Sequence, residues 1–252
     1  MDIDIFEKNI SFGLMPFETL YFNNNEIEDV DKHFKRLKRA HNILKIDFDV
    51  NLSEFSKALY DYVAKLDCSE GVLKVVYYNK QINISYRLPN YTNNMFKQGL
   101  KLKTSKIIKG KNNIFNYIKT FNYGVNYMED VRAKKVGYDT SLFLNEKGYI
   151  CETSYANIFF VKDNEIYTPH LRSGILKGIM RDNVISFLGS KGYKINKTFI
   201  GYNYINHFDE CFLTNSVIGI MPVKQIDDVY YNVRSIIELI IKFKKFWRSW
   251  MF

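Results

Sequence analysis

Two segments in the first third of the chain carry apolar residues at the spacing of an amphipathic helix. They are "DVDKHFKRLKRAHNIL", with Asp29 or Asp31 available as N-cap, and "SEFSKALYDYVAKL". Around them, "FETLYFNNNEIED" predicts two strands joined by an asparagine-rich turn, and "GVLKVVYY" with "INISYRL" predicts a hairpin. Because strands and helices alternate, we predict an α/β domain that ends near residue 115.

Strand patterns dominate the second half of the chain. The predicted strands are "SLFLN", "YICETS", "NIFFV", "EIYTP", "ECFLTNS" and "GIMPVKQI". Helices are predicted near residues 124–135, from about Gly178 onward, and at the C-terminus. The pattern therefore predicts an α+β chain of two domains, an α/β domain at residues 1–115 and a strand-rich domain with added helices at residues 116–252.

Composition and charge indicate a folded globular protein and suggest the kind of ligand it binds. The 252 residues are 46% apolar and 16% aromatic, as in a folded globular chain, and the net charge is +9. The lysines are spread along the chain and alternate with apolar residues in "LKLKTSKIIKG", which is typical of the solvent-facing side of a strand. The charge favours a small anionic substrate, while a nucleic-acid-binding module remains the alternative from a different class.

We also predict no targeting signal from the sequence. "MDIDIFEKN" has acidic residues where a signal peptide needs basic ones, and three scattered cysteines fit a reducing cytoplasm. The tail "SIIELIIKFKKFWRSWMF" is interrupted by charged residues and lacks the uncharged apolar run of a membrane span. We predict a helix packed on the body of the protein, with a helix lying on a membrane surface as the alternative.

Two side chains are candidates for reaction chemistry. Lys119 lies in the apolar and aromatic segment "YIKTFNY", where a lysine is either a surface residue or one that can lose its proton and form a Schiff base with a carbonyl cofactor. Glu152 in "YICETS" lies between strand patterns and either caps the turn at Thr153 and Ser154 or has a buried positive partner. We interpret that partner as a cofactor.

Three further features are candidates for binding a phosphate group. The segment "SGILKGIMR" combines glycines with the start of a helix, where backbone N–H groups favour an anion, although it also fits a tight turn. Ser216 ends a strand and either donates to a phosphate or caps the turn. Arg36 lies beside the apolar face of its helix and either grips a phosphate or belongs to a solvated basic helix.

Taken in order, these segments resemble the fold-type IV pyridoxal phosphate family of aminotransferases and lyases. The blocks that carry the resemblance are "FETL", "HFKRLKRA", "GVLKVV", "KTFNY", "GYDTSLFLNEKGYICETSYANIFF", "YTPHLRSGILKGIMR" and "FLTNSVIGIMPV". The resemblance implies an N-terminal α/β sandwich, a C-terminal strand-rich pseudo-barrel domain with helices, and pyridoxal 5'-phosphate as cofactor. It also implies a homodimer that binds neither nucleic acid nor a membrane.

The resemblance also implies roles for individual residues. Lys119 corresponds to the lysine that bonds to the cofactor and moves protons, and Glu152 to the partner of the pyridine nitrogen. The residues that match the remaining cofactor contacts are Arg36, Asn157, Ile179, Met180 and Ser216. Candidate substrate contacts are Thr19, Lys74 and Tyr123. No metal site is expected.

Within the family the chain most resembles the aminodeoxychorismate lyases. "GVLKVV", "GIMR" and "NSVIGIMPV" look most like blocks of lyases, which also tend to be short chains. The resemblance implies cleavage of a cyclic dicarboxylate to 4-aminobenzoate and pyruvate. The alternative is an aminotransferase that acts on D- or branched-chain amino acids.

Overall fold

The computed structural model describes residues 8–247, which divide into two compact units. The first unit contains the chain up to Asn90 together with Ile118–Gly124, and the second contains Tyr91–Tyr117 and everything from Val125 onward. This division differs from the predicted boundary at residue 115. The chain enters the second unit earlier because the strand at 100–109 pairs there, and segment 118–124 returns to the first unit, where it bonds to residues 15–17.

The first unit is an antiparallel sheet with helices on it. Its elements are α1 (Lys8–Ser11), β1 (Phe17–Asn23), β2 (Glu26–Ile27), α2 (Val30–Leu44), α3 (Leu52–Val63), β3 (Glu70–Tyr78) and β4 (Gln81–Arg87), and the strand order is β2-β1-β3-β4. Asn51 and Glu54 start α3 with a reciprocal capping box. The core lies between α2, α3 and the sheet, where Leu20, Phe22 and Phe55 are fully buried.

The second unit is built on one mixed sheet. Its helices are α4 (Asn93–Gln98), α5 (Gly124–Lys135), α6 (Ile179–Ser190) and α7 (Arg234–Trp247). Its strands are β5 (Leu100–Lys109), β6 (Thr140–Asn145), β7 (Ile150–Thr153), β8 (Asn157–Lys162), β9 (Glu165–Pro169), β10 (Ile195–Thr198), β11 (Glu210–Asn215), β12 (Gly219–Ile226) and β13 (Val229–Tyr230). The order is β10-β9-β8-β11-β12-β5-β6-β7, with β13 on β12. This arrangement confirms the predicted α+β class with a strand-rich second part.

Helices α6 and α7 cover one face of that sheet. Met180, Val184 and Phe187 of α6 share a buried cluster with residues of α7 such as Leu239 and Phe243. The predicted packed terminal helix is thus confirmed: α7 extends to Trp247, and its packed side chains are described as far as Phe243. The tail residues 248–252, like the N-terminal residues 1–7, lie outside the described part of the chain.

The described residues contain neither a membrane-spanning helix nor a cluster of metal-ligating side chains. None of the helices between residues 8 and 247 is long and apolar enough to cross a membrane. Within the same residues, no group of three or more His, Cys, Asp or Glu side chains could hold a metal ion. All three cysteines are free thiols.

Candidate active site

Lys119 lies in the segment of the first unit that runs beside the start of β1. The N–H of Phe17 donates to the carbonyl of Lys119 at 3.0 Å, and the N–H of Phe121 donates to that of Met15 at 2.9 Å. Nζ of Lys119 lies 4.3 Å from the ring centroid of Phe17 and 5.6 Å from that of Tyr123. The predicted aromatic setting of Lys119 is therefore present.

A second ammonium group stands against the same ring. Nζ of Lys74 lies 4.5 Å from the ring centroid of Phe17 and 4.6 Å from that of Phe121. Since Nζ of Lys119 is also within 4.5 Å of the Phe17 centroid, the two nitrogen atoms are at most about 9 Å apart. Partial burial lowers the pKa of Lys74. Two neighbouring cations are a suitable setting for an anionic group.

Thr19 shares a sheet face with these residues. It is the register partner of Lys74 between β1 and β3, and it lies two positions from Phe17 on the same strand. The structure therefore groups the predicted substrate contacts Thr19, Lys74 and Tyr123 around Phe17 together with Lys119.

Arg36 is held elsewhere in the first unit. Its Nε donates to Oε1 of Glu18 at 2.7 Å and its Nη2 to Oε2 at 2.6 Å, while Nδ1 of His33 lies 2.7 Å from Oε2. Burial alone would raise the pKa of Glu18, but Arg36 and His33 lower it to about 2. The buried carboxylate of Glu18 thus fixes the orientation of the Arg36 side chain, which is not solvated as the alternative of a basic surface helix would require. Neighbouring residues of a strand point to opposite faces of its sheet, so Glu18 and its partner Arg36 lie on the other sheet face from Phe17 and Lys74. The phosphate role of Arg36 stays a prediction.

Glu152 is buried in β7 of the second unit and accepts three hydrogen bonds. Nζ of Lys109 donates to Oε1 at 2.9 Å, and Nδ2 of Asn157 and the N–H of Leu176 donate to Oε2 at 3.0 and 3.1 Å. The following turn has its own cap, since the Thr153 hydroxyl accepts from the N–H of Ala156 at 3.0 Å. Glu152 is therefore not the turn-capping residue.

The cation beside Glu152 belongs to the chain itself. Lys109 pairs with Glu152, and each side chain is only 10% exposed. The expected role of Glu152 as partner of the cofactor's ring nitrogen stays a prediction. Lys109 was missed because the lysines of "LKLKTSKIIKG" were all assigned to the solvent side of a strand. Lys109 pairs in register with Asn145 of β6, and at this end of β5 the face is covered, since Ile107 packs against a buried cluster that contains Phe143. The adjacent isoleucines at 107 and 108, which break the alternation, were the available signal.

Asn157 links Glu152 to the start of α6. Besides its bond to Glu152, its Nδ2 donates to the carbonyl of Leu176 at 3.0 Å. Gly178 is the N-cap of α6 and has no side chain to accept from the first-turn N–H groups, and a Cβ added there would collide with Oδ1 of Asn157. Ile179 and Met180 follow directly, so their backbone lies at the positive end of a 12-residue helix.

Ser216 lies beyond the end of β11, the neighbour of β8. Thr214 of β11 is the register partner of Asn157, so Ser216 follows two residues after the position opposite Asn157. Oδ1 of Asn215 accepts from the N–H groups of Val217 and Ile218 at 2.9 and 3.0 Å. Asn215 thus supplies a cap of this turn.

These residues fit the predicted cofactor, each within its own unit. The second unit offers a buried carboxylate for a ring nitrogen and an uncapped helix start for a phosphate, connected through Asn157. The first unit offers an amine among aromatic rings for a carbonyl carbon.

Known proteins resemble the chain over most of its length. A family model described as Amino-transferase class IV matches residues 16–226. The chain is 27% identical over 253 residues to the aminodeoxychorismate lyase of Bacillus subtilis, which covers 91% of this chain and 83% of that protein. It is 25% identical over 234 residues to the "Probable branched-chain-amino-acid aminotransferase" of Rickettsia bellii, covering 86% and 81%. The crystal structure of 4-amino-4-deoxychorismate lyase from Pseudomonas aeruginosa superposes with a TM-score of 0.84 at 19% identity, covering 97% and 95%.

Proposed function

The chain belongs to the amino-transferase class IV family, whose enzymes use pyridoxal 5'-phosphate, and we propose that it is a 4-amino-4-deoxychorismate lyase. The family match confirms the resemblance and the cofactor that the sequence predicts. Support for the lyase reaction comes from the similarity to the Bacillus subtilis lyase over 91% of the chain. The proposed reaction converts the substrate to 4-aminobenzoate and pyruvate, whose atoms together equal those of the substrate.

The observation that carries the lyase proposal is the second ammonium group beside Lys119. Nζ of Lys74 and Nζ of Lys119 both lie within 4.5 Å of the centroid of the Phe17 ring, and Lys74 is partly buried, where its charged form attracts an anion more strongly than in water. A substrate with two carboxylates gains from a fixed cation next to the reacting carbon. We assign Lys74 to one substrate carboxylate, with Thr19 and Tyr123 as neighbouring polar contacts.

Lys119 has the role of proton carrier in this proposal. When bound, pyridoxal phosphate supplies a carbonyl carbon that takes the substrate amine and a ring that accepts an electron pair. Nζ of Lys119 removes the proton from the carbon that bears the amino group, and the carbon–oxygen bond to the enolpyruvyl group then breaks. A proton returned to the methylene carbon of the leaving group gives pyruvate. The rings of Phe17 and Tyr123 lie beside the amine that makes these transfers.

The other residues hold the cofactor. Glu152 carries the negative charge for the ring nitrogen, and Asn157 fixes the orientation of that carboxylate. The N–H groups of Ile179 and Met180, the hydroxyl of Ser216 and the guanidinium of Arg36 are proposed to bind the phosphate.

The cofactor bond is tested by reduction. Protein loaded with pyridoxal phosphate should be yellow, and borohydride followed by digestion should place the pyridoxyl group on Lys119. The matched control is Lys119→Arg, which should bind the cofactor without covalent attachment. A label on another lysine would contradict the assignment of Lys119.

The reaction is tested by comparing substrates. Aminodeoxychorismate alone should yield equal amounts of 4-aminobenzoate and pyruvate, with no keto-acid acceptor needed. Lys74→Met should raise KM for that substrate more than it lowers kcat, while Lys80→Met on the exposed hairpin turn should change neither. Product formation that requires 2-oxoglutarate would contradict the lyase reaction.

The second candidate function is amino transfer to or from branched-chain or D-amino acids. It is favoured by the similarity to the Rickettsia bellii protein over 86% of this chain. Incubation with branched-chain amino acids or D-alanine and 2-oxoglutarate should give no glutamate if the lyase proposal holds. Rapid glutamate formation without cleavage of aminodeoxychorismate would establish the aminotransferase instead.

A further inference from the structure

Lys109 and Glu152 form a buried ion pair within the second unit. Their Nζ and Oε1 atoms are 2.9 Å apart, each side chain is 10% exposed, and Nζ of Lys109 lies 4.9 Å from the ring centroid of Phe143. The other carboxylate oxygen is occupied by the Asn157 and Leu176 donors. The buried guanidinium of Arg181 on α6 also interacts electrostatically with Glu152. The carboxylate is therefore fixed in position, and cations of the chain face it.

A ring nitrogen bound at the same carboxylate has to share it with Lys109. Removing one partner of a buried ion pair is strongly destabilising, so Lys109 stabilises the cofactor-free fold. Once a cofactor is present, the same lysine places a positive charge near the ring and disfavours a proton on the ring nitrogen. The same lysine thus stabilises the cofactor-free fold and opposes protonation of the ring nitrogen in the loaded enzyme.

We propose that Lys109 is a positioning residue that balances Glu152 in the cofactor-free protein and limits protonation of the cofactor in the loaded one. The second half of this inference rests on the proposed role of Glu152. The first half concerns only two side chains of this chain and is measured without any cofactor.

The first experiment is a double-mutant cycle in the cofactor-free protein. Urea unfolding is measured for Lys109→Met, Glu152→Gln and the combined variant. Lys109→Met should lower the folding equilibrium constant by about 100-fold or more, because Glu152 loses its ion-pair partner in a buried position. Adding Glu152→Gln should restore most of that loss, since no charge then remains unpaired. The matched control is Lys103→Met on the same strand, whose pair with Asp227 leaves Lys103 44% exposed and should cost far less.

The combined variant keeps this test decisive if Lys109→Met does not fold. A combined variant that folds confirms that the unpaired charge was responsible. A combined variant as unstable as Lys109→Met, or additive effects of the two substitutions, would overturn the proposed balance of charge.

The second experiment follows the nitrogen NMR signal of bound pyridoxal phosphate that is isotopically enriched at the ring nitrogen. In Lys109→Met the pH midpoint of this signal should move upward by about one unit or more, because a charge that opposes protonation of that nitrogen is lost. Lys109→Arg should keep the wild-type midpoint, since it keeps the cation. The cofactor should also raise the stability of Lys109→Met more than that of the wild type.

The outcomes separate this inference from the proposed function. An unchanged midpoint in Lys109→Met, with the label still on Lys119, would overturn the role of Lys109 and leave the enzyme assignment intact. Absence of the label would remove the proposed function, while the cofactor-free cycle would still measure the ion pair.

Discussion

Glu18 is a buried carboxylate whose ionisation links the stability of the first unit to pH. Its pKa in the folded protein is about 2, against 4.5 for an unperturbed glutamate. Between these two values the unfolded chain binds more protons than the folded one, so the free energy of unfolding falls as pH drops through this window. Burial also lowers the pKa of His33, whose contribution is lost as pH falls below about 6.5.

Replacing Glu18 by Gln should therefore flatten the acid side of the stability curve. Below pH 4.5 the slope should lose up to about 1.4 kcal/mol per pH unit, the value for one proton. Urea unfolding at a series of pH values measures this. The exposed Glu26 on the same sheet provides the control, and Glu26→Gln should keep the wild-type slope. An unaltered slope in Glu18→Gln would show that other groups dominate acid unfolding.

Replacing Glu152 by Gln should impair turnover even in the fraction of the protein that stays folded. The charge that attracts a proton to the cofactor ring is lost, so turnover should fall by about 100-fold or more. Steady-state kinetics at saturating cofactor measures the loss. Glu165→Gln is the control, because it removes a carboxylate that pairs with Lys194 near the surface of the same sheet. A rate close to wild type would limit Glu152 to a structural role.

At the start of α6, a single methyl group added to Gly178 should disturb the contact with Asn157. Gly178→Ala should push Asn157 away from Glu152, since the added Cβ collides with the Asn157 side chain. Loss of one buried hydrogen bond at about 1–3 kcal/mol corresponds to an affinity for pyridoxal phosphate weaker by about 5- to 150-fold.

Cofactor titration followed by absorbance measures this change in affinity. Gly189→Ala near the end of the same helix is the matched control, because nothing lies within 4 Å of its added Cβ. It should leave the affinity unchanged. Equal affinities for both variants would mean that the contact between Gly178 and Asn157 does not support the cofactor site.

Most elements follow from local pattern, and the exceptions have a physical cause. The helices α2, α3, α5 and α6 and the main strands occur where the periodicity predicts them. Helix α4 and strand β10 were not predicted, because each is short and has no apolar repeat long enough to be recognised. The N-cap of α2 is Asp29, which makes no side-chain capping bond, so packing of the helix outweighs its cap.

At the scale of the whole molecule, we propose that the chain forms a homodimer. The proposal comes from the family resemblance, and the exposed apolar side chains of α5 support it, including Tyr127 at 63% and Met128 at 50% exposure. Sedimentation at micromolar concentration should give about twice the 29.9 kDa of one chain. A fully active monomer at that concentration would contradict the proposal.

The sequence by itself determined the periodic elements, the α+β class and the chemical types of residue that suit pyridoxal phosphate. These depend on neighbours within a few positions, as in the aromatic segment around Lys119 and the glycine before α6. Only the tertiary structure decided which charges meet. Lys109 and Glu152 are 43 residues apart in the chain, Arg36 and Glu18 are 18 apart, and segment 118–124 joins the first unit across a 27-residue excursion into the second. Such pairings depend on strand register, and local periodicity carries no information about it.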